Sequence, residues 1–226
     1  MLITGGTGGL GSAVTGEFLA NGWRVVVPWL HQREAGRVER HERLELVEAD
    51  LFDAKAVAGV AEAAAADPAA PLTAVVNLVG GYAGGARVHE APVEDFERQL
   101  RLNLRPTYLV TQAALPLLIA AGGGTVACVS SRAALKPFAG AAGYIAAKAA
   151  VLAFAQAVAA EYAADGVRCN AVVPSVIDTP AQRASAPNAD HARWVAPADI
   201  AAVLHFLSTD ASRPISGAAV PVYGRA

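Results

Sequence analysis

The chain has 226 residues, 54% of them hydrophobic and 17% charged, with a formal net charge of −2. That length predicts one domain, the apolar composition excludes disorder, and the balanced charge without a basic run excludes a nucleic-acid surface. The longest clean apolar stretch, 149–160, is short of the ~20 residues a membrane span needs. Glycines at positions 5 and 6 interrupt any leader, and the two cysteines, Cys128 and Cys169, are too few for a disulfide framework, so a cytoplasmic protein without a membrane partner is expected.

Strand-like runs alternate with helical patterns. Strands are predicted over Met1–Thr4, Arg24–Val27, Leu44–Glu48, Ala74–Val79, Thr125–Ser130, Val167–Val173 and Ala218–Val222. Several are continuous β-branched runs, as expected of strands covered on both faces of a parallel sheet. After the first strand, Leu10, Val14 and Phe18 recur four apart; later, Val151, Phe154, Val158 and Tyr162 form one helical stripe. The alanine-rich stretch 54–70 reads as a surface-packed helix ended by Pro68, and Pro116 predicts a kink. This order predicts a single α/β domain over residues 1–226, a doubly wound parallel sheet of about seven strands with helices on both faces. The segment 175–197 is long for a connection between regular elements and reads as a lid.

The first turn runs Thr4-Gly5-Gly6-Thr7-Gly8-Gly9-Leu10-Gly11 between a strand and a helix. Glycines there permit a tight turn and close backbone approach to a pyrophosphate, which the helix N-terminus attracts. Asp50 closes the third strand, where it is either an acceptor for an adenine amino group or an N-cap. Tyr144 and Lys148 are four apart at the head of a helix, hence on one face. A nearby ammonium lowers a tyrosine's pKa, so the pair suits acid–base work on an alcohol or carbonyl. They follow Ser130-Ser131 at a strand's C-terminal end, where open α/β sheets place their sites.

In their joint order, Thr4–Gly11, Asp50, Asn77-Leu78-Val79-Gly80, Asn103, Ser131, Tyr144-x-x-x-Lys148 and Pro174…Thr179 resemble the short-chain dehydrogenase/reductase family over nearly the whole chain. The resemblance implies a Rossmann-like fold and hydride transfer with a nicotinamide cofactor. It implies Tyr144 as general acid or base, Lys148 on the nicotinamide ribose, Ser131 on the substrate oxygen, and Asn103 holding a relay water. Around the cofactor it implies the turn Thr4–Gly11, then Asp50, Leu51, Asn77, Val79, Gly80, Pro174, Ile177 and Thr179, with Asn77 also tying central strands together. It further implies a homo-oligomer, a dimer or tetramer, to which the small residues of 141–164 lend themselves. No histidine spacing suggests a metal.

The chain departs from the family in places. Trp29 stands where NAD-using members carry an aspartate, with His31 and Arg33 close behind and no carboxylate before Glu34; NADP(H) is therefore favoured over NAD(H). Ser175 follows Pro174 where members commonly have glycine, and the first strand has few residues before Thr4, so it is either clipped or begins upstream of this sequence. The loops 80–85 and 179–194 resemble those of quinonoid dihydropteridine reductases, which raises a pterin-like substrate as the alternative to a carbonyl or alcohol. Tyr82 and Trp194 are candidate substrate contacts, each with ordinary packing as the alternative.

Overall fold

The β-branched runs form seven strands: β1 Leu2–Thr4, β2 Val25–Trp29, β3 Leu44–Glu48, β4 Ala74–Asn77, β5 Gly124–Val129, β6 Val167–Pro174 and β7 Ala219–Val222. The computed structural model describes residues 1–225, the side chains of Arg33 and Ala35 excepted. All strands are parallel, in the order β3-β2-β1-β4-β5-β6-β7. The chain therefore reverses its direction of winding between β1 and β4, and the crevice beyond the carboxyl ends of these two strands is where such a sheet binds ligands.

Each face is sealed by its own helices. The helices α3 (Ala54–Ala65), α4 (Val93–Ala120) and α5 (Ala142–Glu161) cover one face; α1 (Gly11–Ala20) and α7 (Pro197–Leu207) cover the other. Short helices α2 (Gln32–Ala35) and α6 (Pro180–Ser185) follow β2 and β6. Two cores result, one around Leu2, Val75, Val126 and Val151, the other around Ile3, Val27, Val76 and Leu204. Alternate residues of one strand feed opposite cores, which accounts for the continuous apolar runs.

Four elements depart locally from the expectation. The second strand continues through Pro28 to Trp29, because β1 pairs with β2 only at Leu2–Val26 and Pro28 lies beyond that ladder. The fourth strand ends at Asn77, and residues 78–80 leave the sheet to enter the crevice wall. Helix α4 runs through both Pro106 and Pro116, and the alanine-rich helix stops at Ala65, capped at its start by Asp53, which accepts from Lys55 N–H.

Helix α5 is long and apolar enough to cross a membrane by length and composition. Here it packs against α4, β5 and β6, burying Ala147, Lys148, Val151, Ala155 and Val158. At the far edge, Arg168 of β6 donates to four carbonyls, those of Ser212, Ile215, Leu207 and Thr209. Asn170 donates through Nδ2 to Ile215 O and accepts at Oδ1 from Ala218 N–H. These bonds fix β7 and the tail that carries Tyr223.

Candidate active site

One groove of about 1050 Å³ runs along the carboxyl ends of the strands, from Trp29 and Asp50 at one end to Tyr144 and Phe138 at the other. Its floor is the glycine turn. Gly5 has φ +67°, and Gly8 N–H closes the turn on Gly5 O at 3.0 Å. A Cβ on Gly11 would lie 2.0 Å from Gly5 O, and one on Gly6 would collide with Val27 and Thr15. The turn therefore has this shape because those positions carry no side chain. Helix α1 starts at Gly11 with no side-chain cap and no acidic residue in its first turn; Ser12 N–H donates to Gly8 O, and the positive end of the helix is left facing an anionic ligand.

At the other end, β5 delivers Ser130 and Ser131 while α5 delivers Tyr144 and Lys148. Ser130 Oγ donates to Lys148 O at 2.7 Å, and Lys148 Nζ donates to Val129 O at 3.0 Å. Strand end and helix start are thus laced together. Ser131 Oγ accepts from Ala133 N–H, capping a short 3₁₀ turn over Arg132–Ala134, and stands beside Tyr144 in the groove wall. The expectation that Lys148 lowers the Tyr144 pKa is not met in this arrangement. Burial raises the phenol above its ordinary value, and the neighbouring Ser131 hydroxyl offsets this only in part. Lys148 Nζ lies 6.0 Å from the Tyr144 ring centre, and burial brings the lysine itself down to about 8. Tyr144 is therefore a phenol at neutral pH, in the proton-donating form.

Most of the residues singled out in the sequence face this groove. Gly5, Thr7, Gly8, Gly9, Leu10 and Gly11 line it, as do Trp29, Asp50, Leu51, Val79, Gly80, Ser131, Tyr144, Lys148, Pro174, Ile177 and Thr179. Thr179 also caps α6, accepting from Gln182 N–H, and touches the α-carbon side of Gly9, so lid and glycine turn meet there. Asp50 makes an Asx turn with Phe52 N–H, while Asp53 caps α3.

Four residues stand behind the wall instead of in it. Thr4 Oγ1 accepts from Leu78 N–H, and Gly6 is buried under the turn. Asn77 donates to Thr111 Oγ1, so its side chain ties β4 to α4. Asn103 is fully buried; it accepts from Gly81 N–H and donates to Gly81 O and Gln99 O. A Cβ on Gly80 would lie 2.6 Å from Asn103 Oδ1 and 3.0 Å from Lys148 Nζ. Asn103 thus shapes the loop that passes over Lys148.

Of the two candidate substrate contacts, Tyr82 is in the wall, its ring edge-on to Tyr144 with 5.1 Å between centres. Trp194 is not; it packs on His191 at 4.3 Å beneath the tail. The Arg33 side chain lies outside the described residues. The sequence reading missed Arg37, Arg132, Lys136 and Phe138, all in the wall. Arg132 was visible as the neighbour of Ser131; Arg37 is placed by the course of the chain after α2.

A topological switch point, a glycine turn feeding a helix N-terminus, and a serine–tyrosine–lysine group across the crevice define a Rossmann-type dinucleotide-dependent oxidoreductase. The family model described as short chain dehydrogenase matches residues 1–190, and the chain belongs to the short-chain dehydrogenase/reductase family. It is 34% identical over 187 residues to 2-(R)-hydroxypropyl-CoM dehydrogenase of Xanthobacter autotrophicus, covering 79% of this chain and 74% of that one. To 2,5-dichloro-2,5-cyclohexadiene-1,4-diol dehydrogenase LinX of Sphingobium indicum it is 32% identical over 236 residues, covering 99% and 94%. The solved structure of ElxO with NADP bound superposes with a TM-score of 0.91, covering 99% of this chain and 96% of that chain at 23% identity, a likeness of fold.

The relatives' names place their chemistry at hydroxyl groups, and the pteridine alternative gains nothing from them. The glycine cradle and the open helix N-terminus fit a nicotinamide dinucleotide. The pyrophosphate would be held by the turn Gly5–Gly11, the adenosine end by Trp29, Asp50 and Leu51, and the nicotinamide end by Lys148, Ile177 and Thr179.

Proposed function

We propose that the protein interconverts a small carbonyl compound and its alcohol, with NADP(H) preferred over NAD(H). The observation that carries the reading is the juxtaposition of Ser131, Tyr144 and Lys148 in the groove wall, with the Tyr144 phenol protonated at neutral pH. The bound nicotinamide supplies or accepts the hydride. Ser131 donates a hydrogen bond to the substrate oxygen and holds it against Tyr144. Tyr144 gives its proton to that oxygen in reduction and takes it back in oxidation. Lys148, fixed by Val129 O, presents its remaining N–H groups to the crevice beneath Gly80. In oxidation the rate rises with pH as the phenol ionises; in reduction it is retained to above neutral pH and falls as the phenol is lost.

The NADP(H) preference is supported at the adenosine end. Trp29 occupies the place of the ribose-gripping carboxylate, and His31 and Arg37 line the same wall with Glu34. Self-association is supported by exposed aromatics on the α4–α5 face, Phe96 and Tyr108, the latter beside the half-buried Phe154; a dimer or tetramer in sedimentation at micromolar concentration is the expected result.

The test is cofactor consumption over a panel of ketones, aldehydes and dihydropterins with NADPH and NADH. Turnover of carbonyls with a higher kcat/KM for NADPH is expected. Tyr144→Phe lowers kcat by about 10³-fold with the cofactor Kd nearly unchanged. A Tyr144→Phe enzyme that keeps its kcat defeats the mechanism.

A further inference from the structure

The substrate end of the groove differs in charge from the adenosine end. The acidic side chains in the groove wall, Glu34 and Asp50, lie after β2 and β3. Beyond β5 the wall carries Arg132 and Lys136. Arg132 is half-buried, and no carboxylate among the described residues pairs with it. The lid carboxylate Asp178 is engaged by Arg183 at 2.5 and 2.7 Å.

Arg132 is nevertheless held in place. Its guanidinium sits over the Tyr223 ring, 5.0 Å from the centre. Tyr223 is fixed in turn, because Ser175 Oγ donates to Tyr223 O at 2.8 Å. Ser175 is the residue that replaces the usual glycine after Pro174, and its hydroxyl therefore has an identified use. A partly buried guanidinium that is oriented, without a counter-charge among the described residues and set one residue from Ser131 is arranged to receive an anion.

We propose that the substrate carries an anionic group, a carboxylate, sulfonate or phosphate, which Arg132 binds while the reacting carbonyl meets Ser131 and Tyr144. Tyr223 and Ser175 are positioning residues for that guanidinium. The proposal rests on the carbonyl-reductase reading and narrows it to a substrate class. A planar guanidinium can pair with such a group through two parallel hydrogen bonds, and Lys136 adds attraction that salt weakens.

The test is calorimetric binding to the enzyme–NADP⁺ complex, which needs no turnover, followed by kinetics. The probes are straight-chain ketones ending in a carboxylate, such as 4-oxopentanoate and longer homologues, each against its methyl ester, with sulfonate- and phosphate-ended analogues as further arms. Expected is at least about tenfold tighter binding of the best acid than of its ester, a preference expressed in KM and reduced by 0.5 M salt (an order-of-magnitude expectation for one charge-assisted contact). Arg132→Gln brings the acid-to-ester ratio close to one, and Arg132→Lys keeps part of it. Tyr223→Leu lowers the ratio, and Tyr223→Phe, which keeps the ring, restores it.

Equal binding of acids and esters overturns the anion site while leaving carbonyl reduction standing. Binding of the acids without any turnover supports the anion site and counts against carbonyl reduction. Failure of acids and esters alike to bind overturns the anion site. An Arg132→Gln effect confined to the cofactor Kd also overturns it, because the guanidinium would then serve the dinucleotide.

Discussion

The two ends of the groove are built from different materials. At the cofactor end the shape is made by backbone: a turn in which Gly11 has no room for a methyl group and Gly5 adopts a positive φ. At the substrate end the shape is made by side chains on connections, and they are open to solvent; Tyr82 is 58% exposed and Phe138 51%. The boundary between the two is Lys148, buried and bonded to the end of β5. A cofactor shared across a family can be met by fixed backbone, whereas a substrate particular to one enzyme is met by replaceable side chains on segments the core does not depend on. The contrast predicts that substitutions at the cofactor end disturb folding and binding together, and that those at the substrate end separate them.

The largest effect is expected at Gly11. Gly11→Ala places a methyl against Gly5 O, should cost about 3 kcal/mol as overpacking does at its upper range, and should abolish measurable cofactor binding in a titration. An alanine variant that binds the dinucleotide normally would break the contrast at its strongest point.

Lys148→Met is expected to act in the opposite sense on stability. Depression of the lysine from 10.5 to about 8 corresponds to about 3 kcal/mol against the folded state at neutral pH. Losing the bond to Val129 O returns about 1 kcal/mol, so the variant should melt several degrees higher while losing activity. The sign has a pH signature. The folded protein binds fewer protons than the unfolded chain between about 8 and 10.5, so the wild type gains stability as pH rises through that window. The variant lacks this gain, and thermal melts across the window compare the two.

The smallest effect is expected in the lid. Asp178→Asn removes the ion pair with Arg183, whose attraction holds the carboxyl below its usual range. Both groups are at the surface, so the thermal midpoint should hardly move, while the substrate KM changes through a looser lid. A large loss of stability would show that the lid belongs to the core.

The same division explains what the sequence disclosed. The seven strands, the two-sided sheet and the glycine turn were legible because β-branched runs and glycine spacings are local signals. Tyr144 and Lys148 were legible because four-residue spacing on a helix sets their common face. Burial was not legible: the raised phenol of Tyr144 depends on what surrounds it, and the tie from Asn103 to Gly81 joins residues 22 positions apart. Trp194 illustrates the remaining gap. Its place in the lid suggested the groove, but its indole turned to His191, a choice made by tertiary packing. Arg37 and Arg132 were passed over because an arginine carries no spacing signal until the fold shows which wall it joins.

Trp29 has a practical consequence. Of the three tryptophans, Trp23 is packed with Phe18 and His205, and Trp194 with His191; Trp29 alone of them stands in the groove wall. Indole emission overlaps the absorption of a reduced nicotinamide ring. The enzyme therefore carries its own optical reporter: quenching and energy transfer from Trp29 would follow cofactor loading without a label, and a Trp29→Phe variant would supply the blank.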